Sequence, residues 1–249
     1  MVRPRGLIPR VARRTADAVV VTMTGRTMRW GARLLIARRL DLRVEGLDLL
    51  PRTGPVLVVA RHFHHLYDGA ALIAVAPRPV HIFVALDWVR SRPGRWAMER
   101  LCAAAGWPVV LRADSRSLRV GQSSYQVGER GALLRHALRD TTRLLREGRL
   151  LVIFPEAYPN VDPDYTPKIG DDSFLPFDPG FAHVIERAQR RDGRPVAVVP
   201  TGLRYERGDR WRVTLRFGAP CYLDNATDRS TFVSDVERSV RSLSTREGG

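Results

Sequence analysis

Residues 55–71 read PVLVVARHFHHLYDGAA, an uncharged run that breaks abruptly into three histidines and an aspartate. Val56 to Ala60 is apolar throughout and rich in β-branched valine, the pattern of a strand buried on both faces of an α/β sheet. The polar cluster therefore falls at a strand's carboxyl end, where open α/β sheets bind their ligands. Asp68 followed by GAALIAVA predicts the first turn of a helix. His62 leaves the strand and Asp68 returns to it. A neutral imidazole partnered by a carboxylate can take a proton from a hydroxyl near neutral pH, because the carboxylate fixes the tautomer and stabilises the imidazolium that forms.

The rest of the chain sets the frame. With 249 residues and 44% apolar content it can bury one sizeable core. The formal charge of +15 comes almost wholly from arginine, Lys168 being the one lysine. A surface this basic attracts anionic lipid, phosphorylated carriers or nucleic acid. Cys102 and Cys221 alone do not make a disulfide framework and fit a reducing compartment. No uncharged run approaches the ~20 residues of a membrane span, nor is any apolar patch near the N-terminus long enough for a signal-peptide core.

Helix and strand patterns alternate along the chain and predict an α/β fold, a mixed central sheet flanked by helices with an N-terminal amphipathic helical extension. The division is 1–40 for the extension and 41–249 for the α/β domain. In the extension, Arg26, Arg29 and Arg33 cluster opposite Val21, Met28, Ala32 and Leu35, with Trp30 near the boundary, which suits either a membrane interface or a helix packed on its own domain. Strands are expected at Leu42 to Val44, as a neighbour of 56–60, and at Val80 to Ala85, Trp107 to Leu111, Leu150 to Phe154 and Val196 to Pro200. A hairpin is expected around Gly208 within Leu203 to Phe217. Helices are expected over Trp88 to Ala105, Ala132 to Glu147, Ala182 to Arg190 and Ser230 to Leu243. Residues 113–131 are polar and Gly/Ser-rich, the composition of a mobile loop over the strand ends. Residues 157–173 hold three prolines and four aspartates in a connection long enough to belong to a site or lid.

Four segments, VVARHFHHLYDG, GWPVVLR, VIFPEA and VVPTGL, resemble in order the blocks of the glycerolipid acyltransferase family, which includes the lysophosphatidic acid and glycerol-phosphate acyltransferases. The likeness covers about residues 42–220. In that family the first block is a histidine, four residues and an aspartate. The second runs from glycine to arginine, matched by Gly106 and Arg112. The third is Phe-Pro-Glu-Gly-Thr-Arg, matched by Phe154, Pro155 and Glu156. Two departures stand out: five residues separate His62 from Asp68 and three separate His64 from it, and Ala157, Tyr158 and Pro159 replace Gly-Thr-Arg. The strand-end position favours His62 as the base, with His64 in reserve.

The resemblance implies transfer of a fatty acyl chain from an acyl-CoA or acyl-carrier-protein thioester to a hydroxyl of a lysophospholipid or glycerophosphate acceptor. Its catalytic pair would be His62 and Asp68, and its substrate-binding residues Arg112, Glu156, Gly106 and Pro155. It implies no metal and no cofactor beyond the thioester co-substrate. The enzyme would be cytoplasmic and peripheral on the inner face of the cell membrane. Its partners would be an anionic membrane surface, the lipid acceptor and the acyl-CoA or acyl carrier protein, with no nucleic acid. Glu156, ending a buried strand, is expected to bond an acceptor hydroxyl or an arginine, its alternative being a structural ion pair. Arg112 is expected to hold phosphate, its alternative being an ordinary surface arginine that caps a strand. The competing reading is a metal-dependent hydrolase with His62, His64 and Asp68 as ligands. A nucleic-acid-binding module is supported by charge alone.

Overall fold

A computed structural model describes residues 10–192, 194–224 and 228–245, with side chains from residue 25 onward in the first helix. Strand β2 (Val56–Ala60) is buried at every position and sits inside a six-stranded sheet. It pairs in parallel with β6 (Leu150–Ile153) on one side and β7 (Ala197–Glu206) on the other. Beyond β6 lies β3 (Val80–Ile82); beyond β7 lie β8 (Trp211–Phe217) and, at the edge, β1 (Leu40–Glu45). The β7–β8 pair is antiparallel and every other pair in this sheet is parallel, so the sheet is mixed.

Side-chain alternation along the strands makes two cores. Val56, Val58 and Ala60 face the layer holding helix α2 (Tyr67–Val75), whose Ala70, Ala71 and Leu72 join the same cluster. Leu57 and Val59 face the opposite layer, with Leu144 and Leu145 of α5 (Arg130–Arg146), Phe181 and Ile185 of α6 (Gly180–Asp192), and Phe232 and Val236 of α7 (Arg229–Ser244). Helix α7 can lie close on β7 because residue 202 is glycine: a Cβ there would come within 2.3 Å of the Leu243 carbonyl carbon.

Four expectations change. The 42–44 strand does not neighbour 56–60, because the β7–β8 hairpin is inserted between them. The half-exposed pattern of β1 suits an edge, whereas β7 is buried along most of its length. The 80–85 strand breaks in two: the Phe83 amide still bonds Val152 O, but Val84 turns away to Pro108 O. There β4 (Val84–Ala85) pairs with β5 (Val109–Val110) as a separate ribbon, all that forms of the 107–111 strand. The ribbon shares a small third core with α3 (Arg92–Ala105), formed by Leu86, Val89, Cys102, Leu111, Leu118 and Tyr125. Residues 113–131 are accordingly folded rather than loose, with a short helix α4 (Arg116–Arg119) whose N-cap Ser115 accepts the Leu118 amide on its hydroxyl, and with Leu118 and Tyr125 buried.

Helix α1 (Arg10–Arg39) packs against α2 and α3, and Ala32 and Ile36 enter the main core. Its arginine face does not simply meet solvent. Arg29 donates to Arg78 O at 2.9 Å and Arg33 to Ala74 O at 3.3 Å, satisfying carbonyls at and just beyond the end of α2. Val21, on the expected apolar face, lies outside the described side chains. Among the described residues no helix is long and apolar enough to cross a membrane.

Candidate active site

The last ladder bond of β2 on the β7 side is Arg61 N–H to Thr201 O at 3.1 Å. The chain then leaves the sheet, and the polar groups of His62 to His65 must find partners elsewhere. Asp68, in the first turn of α2, supplies three of them. Its Oδ2 accepts the amides of Phe63 at 2.7 Å and His64 at 2.9 Å, and His62 Nδ1 at 2.9 Å. Its Oδ1 accepts the Tyr205 hydroxyl of β7 at 2.6 Å. Asp68 is fully buried and, among the described residues, no lysine or arginine is ion-paired with it, so these four donors offset its loss of hydration. Burial, with the Asp68 carboxylate beside it, pushes the Tyr205 hydroxyl well above its ordinary pKa, which keeps it a donor.

A carboxylate only accepts, so Nδ1 of His62 carries the proton and Nε2 of the neutral ring holds a lone pair. The ring stacks on Phe154 at 4.4 Å and remains 15% exposed. Nε2 is thus the nitrogen free to act as a base.

His64 is placed otherwise. Its Nδ1 accepts the amides of Leu66 at 3.2 Å and Tyr67 at 3.4 Å, so its ring satisfies N–H groups at the start of α2. Burial, followed by repulsion from His65, lowers its pKa to about 4. The structure therefore pairs Asp68 with His62 across the five-residue spacing. A pH dependence follows. Above the ordinary histidine value the neutral ring contributes its full stabilisation. As pH falls toward 4 the unfolded chain takes up this proton first, so stability is lost by about 2 kcal/mol between pH 7 and 5. His64→Asn, which can still accept the α2 amides, is expected to remove this component in urea unfolding at the two pH values. An equal loss in both proteins would contradict it.

Glu156, at the end of β6, is turned inward rather than toward an acceptor. Oε1 accepts the His62 amide at 2.9 Å, and Oε2 accepts Leu175 N–H at 3.0 Å and pairs with Lys168 Nζ at 2.6 Å. The ion-pair alternative is the one observed, and its cation is the lone lysine rather than an arginine. Arg112 is also engaged: Nη2 lies 2.8 Å from Asp87 Oδ2, Nε bonds the same carboxylate, and the guanidinium covers the Tyr158 ring at 4.2 Å. Burial works against its charge and Asp87 outweighs it, raising the pKa. An Arg112 already forked onto Asp87 does not present a free guanidinium to phosphate. Gly106 is the left-handed C-cap of α3 (φ 65°), where a Cβ would press to 3.1 Å from His81 Nδ1. Pro155 O accepts the Asp178 amide.

The 157–173 connection is built into this region. Val161 exchanges backbone bonds with Phe63 O and His65 N, and Asn160 Nδ2 donates to carbonyls of residues 170 and 173. Buried Arg61 donates to Asp171 O and Leu203 O while covering the Phe174 ring at 4.2 Å. Arg61 and Lys168 went unassigned on sequence. For Lys168 the signal was there: one lysine among 41 basic residues marks a position that arginine does not fill.

The metal reading requires His62, His64 and Asp68 to converge. His64 Nδ1 is instead occupied by amides and Asp68 by four donors, and among the described residues no group of three such side chains is arranged to hold an ion.

Residues 41–204 match the family model described as Acyltransferase. No curated protein sequence matches the chain significantly. Among solved structures it is similar to the crystal structure of the 1-acyl-sn-glycerophosphate (LPA) acyltransferase PlsC from Thermotoga maritima. The identity is 18% over 95% of this chain and 85% of that one, with a TM-score of 0.58, a likeness of fold.

Proposed function

Because this chain belongs to the Acyltransferase family, we propose that it moves a fatty acyl group from an acyl-CoA or acyl-carrier-protein thioester to a hydroxyl of a lysophospholipid or glycerophosphate acceptor. The observation carrying this reading is the 2.9 Å bond from His62 Nδ1 to Asp68, which leaves Nε2 as the accepting nitrogen at the sheet's carboxyl edge. The acceptor hydroxyl gives its proton to Nε2 as its oxygen attacks the thioester carbonyl, and Asp68 stabilises the imidazolium. The tetrahedral adduct collapses by breaking the C–S bond, and the proton passes from Nε2 to the departing sulfur. Ester and free thiol form one for one, with no covalent enzyme intermediate. A donor and acceptor screen read by thiol release and product mass tests this. Transfer to a glycerophosphate or lysophospholipid supports it; transfer only to unrelated alcohols or amines would replace the acceptor class.

A lysophospholipid acceptor lies in a membrane, and the enzyme would work there as a peripheral protein on the inner face. The outward face of α3 suits an anionic lipid surface. Trp96 is 63% exposed with Arg100 over its ring, and Arg92 and Leu101 are exposed beside it. The helix's one carboxylate, Glu99, is paired with Arg95. Trp30 of α1 is also exposed. Each arginine near such a surface contributes about 1 kcal/mol. Trp96→Ala/Arg100→Ala is expected to weaken sedimentation with anionic vesicles about tenfold or more, with turnover of a soluble short-chain acceptor unchanged. Binding should also decline with salt as the Debye length falls to about 3 Å at 1 M. Unchanged vesicle binding would place the lipid surface elsewhere.

A further inference from the structure

Past the end of β2 the main chain of His62 lies outside the sheet's ladders, yet both its polar groups are held. Glu156 Oε1 takes its N–H at 2.9 Å, and Lys168 Nζ donates to its C=O at 2.6 Å. Lys168 also meets Glu156 Oε2 at 2.6 Å and Asn160 Oδ1 at 3.1 Å, which uses all three ammonium hydrogens. A closed ring therefore runs from the His62 amide through the Glu156 carboxylate and the Lys168 ammonium back to the His62 carbonyl. Both side chains are fully buried. Burial lowers the Lys168 pKa and the adjacent Glu156 carboxylate opposes it. A compact ammonium can serve three acceptors from one point, whereas a planar guanidinium spreads its donors in a fork, and this accounts for lysine here in a chain that otherwise uses arginine.

We infer that Lys168 is a positioning residue for the base: it fixes the His62 main chain from behind while Asp68 fixes the ring in front, and thereby makes the 157–173 connection part of the catalytic unit. The inference rests on His62 being the base. A displacement of about 1 Å at a reacting group can cost 10²-fold in rate without weakening ground-state binding, so the clamp should act on kcat rather than KM.

Two variants separate positioning from mere stability. Lys168→Met leaves Glu156 buried without its counterion, and Tm should fall. Glu156→Gln/Lys168→Met removes that unpaired charge, so Tm should recover toward wild type. The donor to the His62 carbonyl is still missing, so kcat should stay about 10- to 100-fold low with KM within about threefold. Recovery of kcat together with Tm would overturn the inference. A second readout needs no substrate. The His62 Nδ1 proton, followed by NMR in isotopically labelled protein, should exchange with solvent at least tenfold faster in the double variant than in wild type. Unchanged exchange would overturn the clamp whatever the reaction proves to be, whereas faster exchange in a protein that transfers no acyl group would count against the acyltransferase reading alone.

Discussion

His62→Ala is expected to lower kcat for acyl transfer by about 10²- to 10⁴-fold, the loss that follows removal of a general base. Tm should move little. The ring is partly exposed and packs on one face against Phe154, and after truncation Asp68 keeps three of its four donors: the Phe63 and His64 amides and the Tyr205 hydroxyl. KM for either substrate should change less than kcat, because the proton moves only as the hydroxyl attacks. His64→Asn in the same assay should retain most activity, since that ring satisfies N–H groups at the start of α2 and its free nitrogen is not aimed by a carboxylate. If His62→Ala keeps full activity while the His64 variant loses it, the base is the other histidine. If neither loses activity, general-base catalysis from this cluster is wrong.

Asp68→Asn is expected to produce a comparable loss by a different route. Of the two ways an amide can sit, one aims its NH₂ at three N–H donors. The other aims it at Tyr205, whose hydroxyl can turn and accept. The second keeps all three N–H donors on the carbonyl oxygen and leaves only the Tyr205 O–H proton and one amide hydrogen without the acceptor they had, so the fold should survive at a modest cost in Tm and the carbonyl should still hold His62 Nδ1. What disappears is the negative charge that stabilises the imidazolium, and about 10²- to 10⁴-fold in kcat should go with it. Tyr205→Phe, which removes one of the four donors and leaves the charge, should cost far less. Circular dichroism and Tm on the three proteins, alongside kcat, check the assignment. Equal losses in Asp68→Asn and Tyr205→Phe would point to packing rather than charge.

Much of this was legible in residues 55–71. A run buried on both faces can be little other than a central strand, and a histidine and carboxylate at its carboxyl end fall where such sheets carry sites. Strand order was less legible. Whether β1 meets β2 or β8 depends on the β7–β8 hairpin, about 150 residues downstream, entering between them, and local pattern carries no record of that. The break after Phe83 was hidden because Val80 to Ala85 is apolar on both sides of the turn that moves the chain to a second ribbon. Spacing alone left His62 and His64 both open, since each lies near the family distance from Asp68. The distinction comes from α2 starting at Tyr67, which puts the His64 ring where the helix's first N–H groups need an acceptor. Glu156 was recognisable as a buried charge requiring a partner. An acceptor hydroxyl or an arginine was the expected partner, and the scarcity of lysine was the better guide.

The most direct test of acyl transfer from the His62–Asp68 pair is a single-turnover reaction with a labelled acyl thioester, in which intact-protein mass and small-molecule products are followed together. Without acceptor, the protein should gain no acyl mass and release no thiol beyond the slow background of the His62→Ala variant. With a lysophospholipid or glycerophosphate present, ester and thiol should appear one for one in the wild type and be reduced at least 10²-fold in the variant. Acylated protein, or free fatty acid and thiol formed without acceptor, would contradict direct transfer to an alcohol activated by His62.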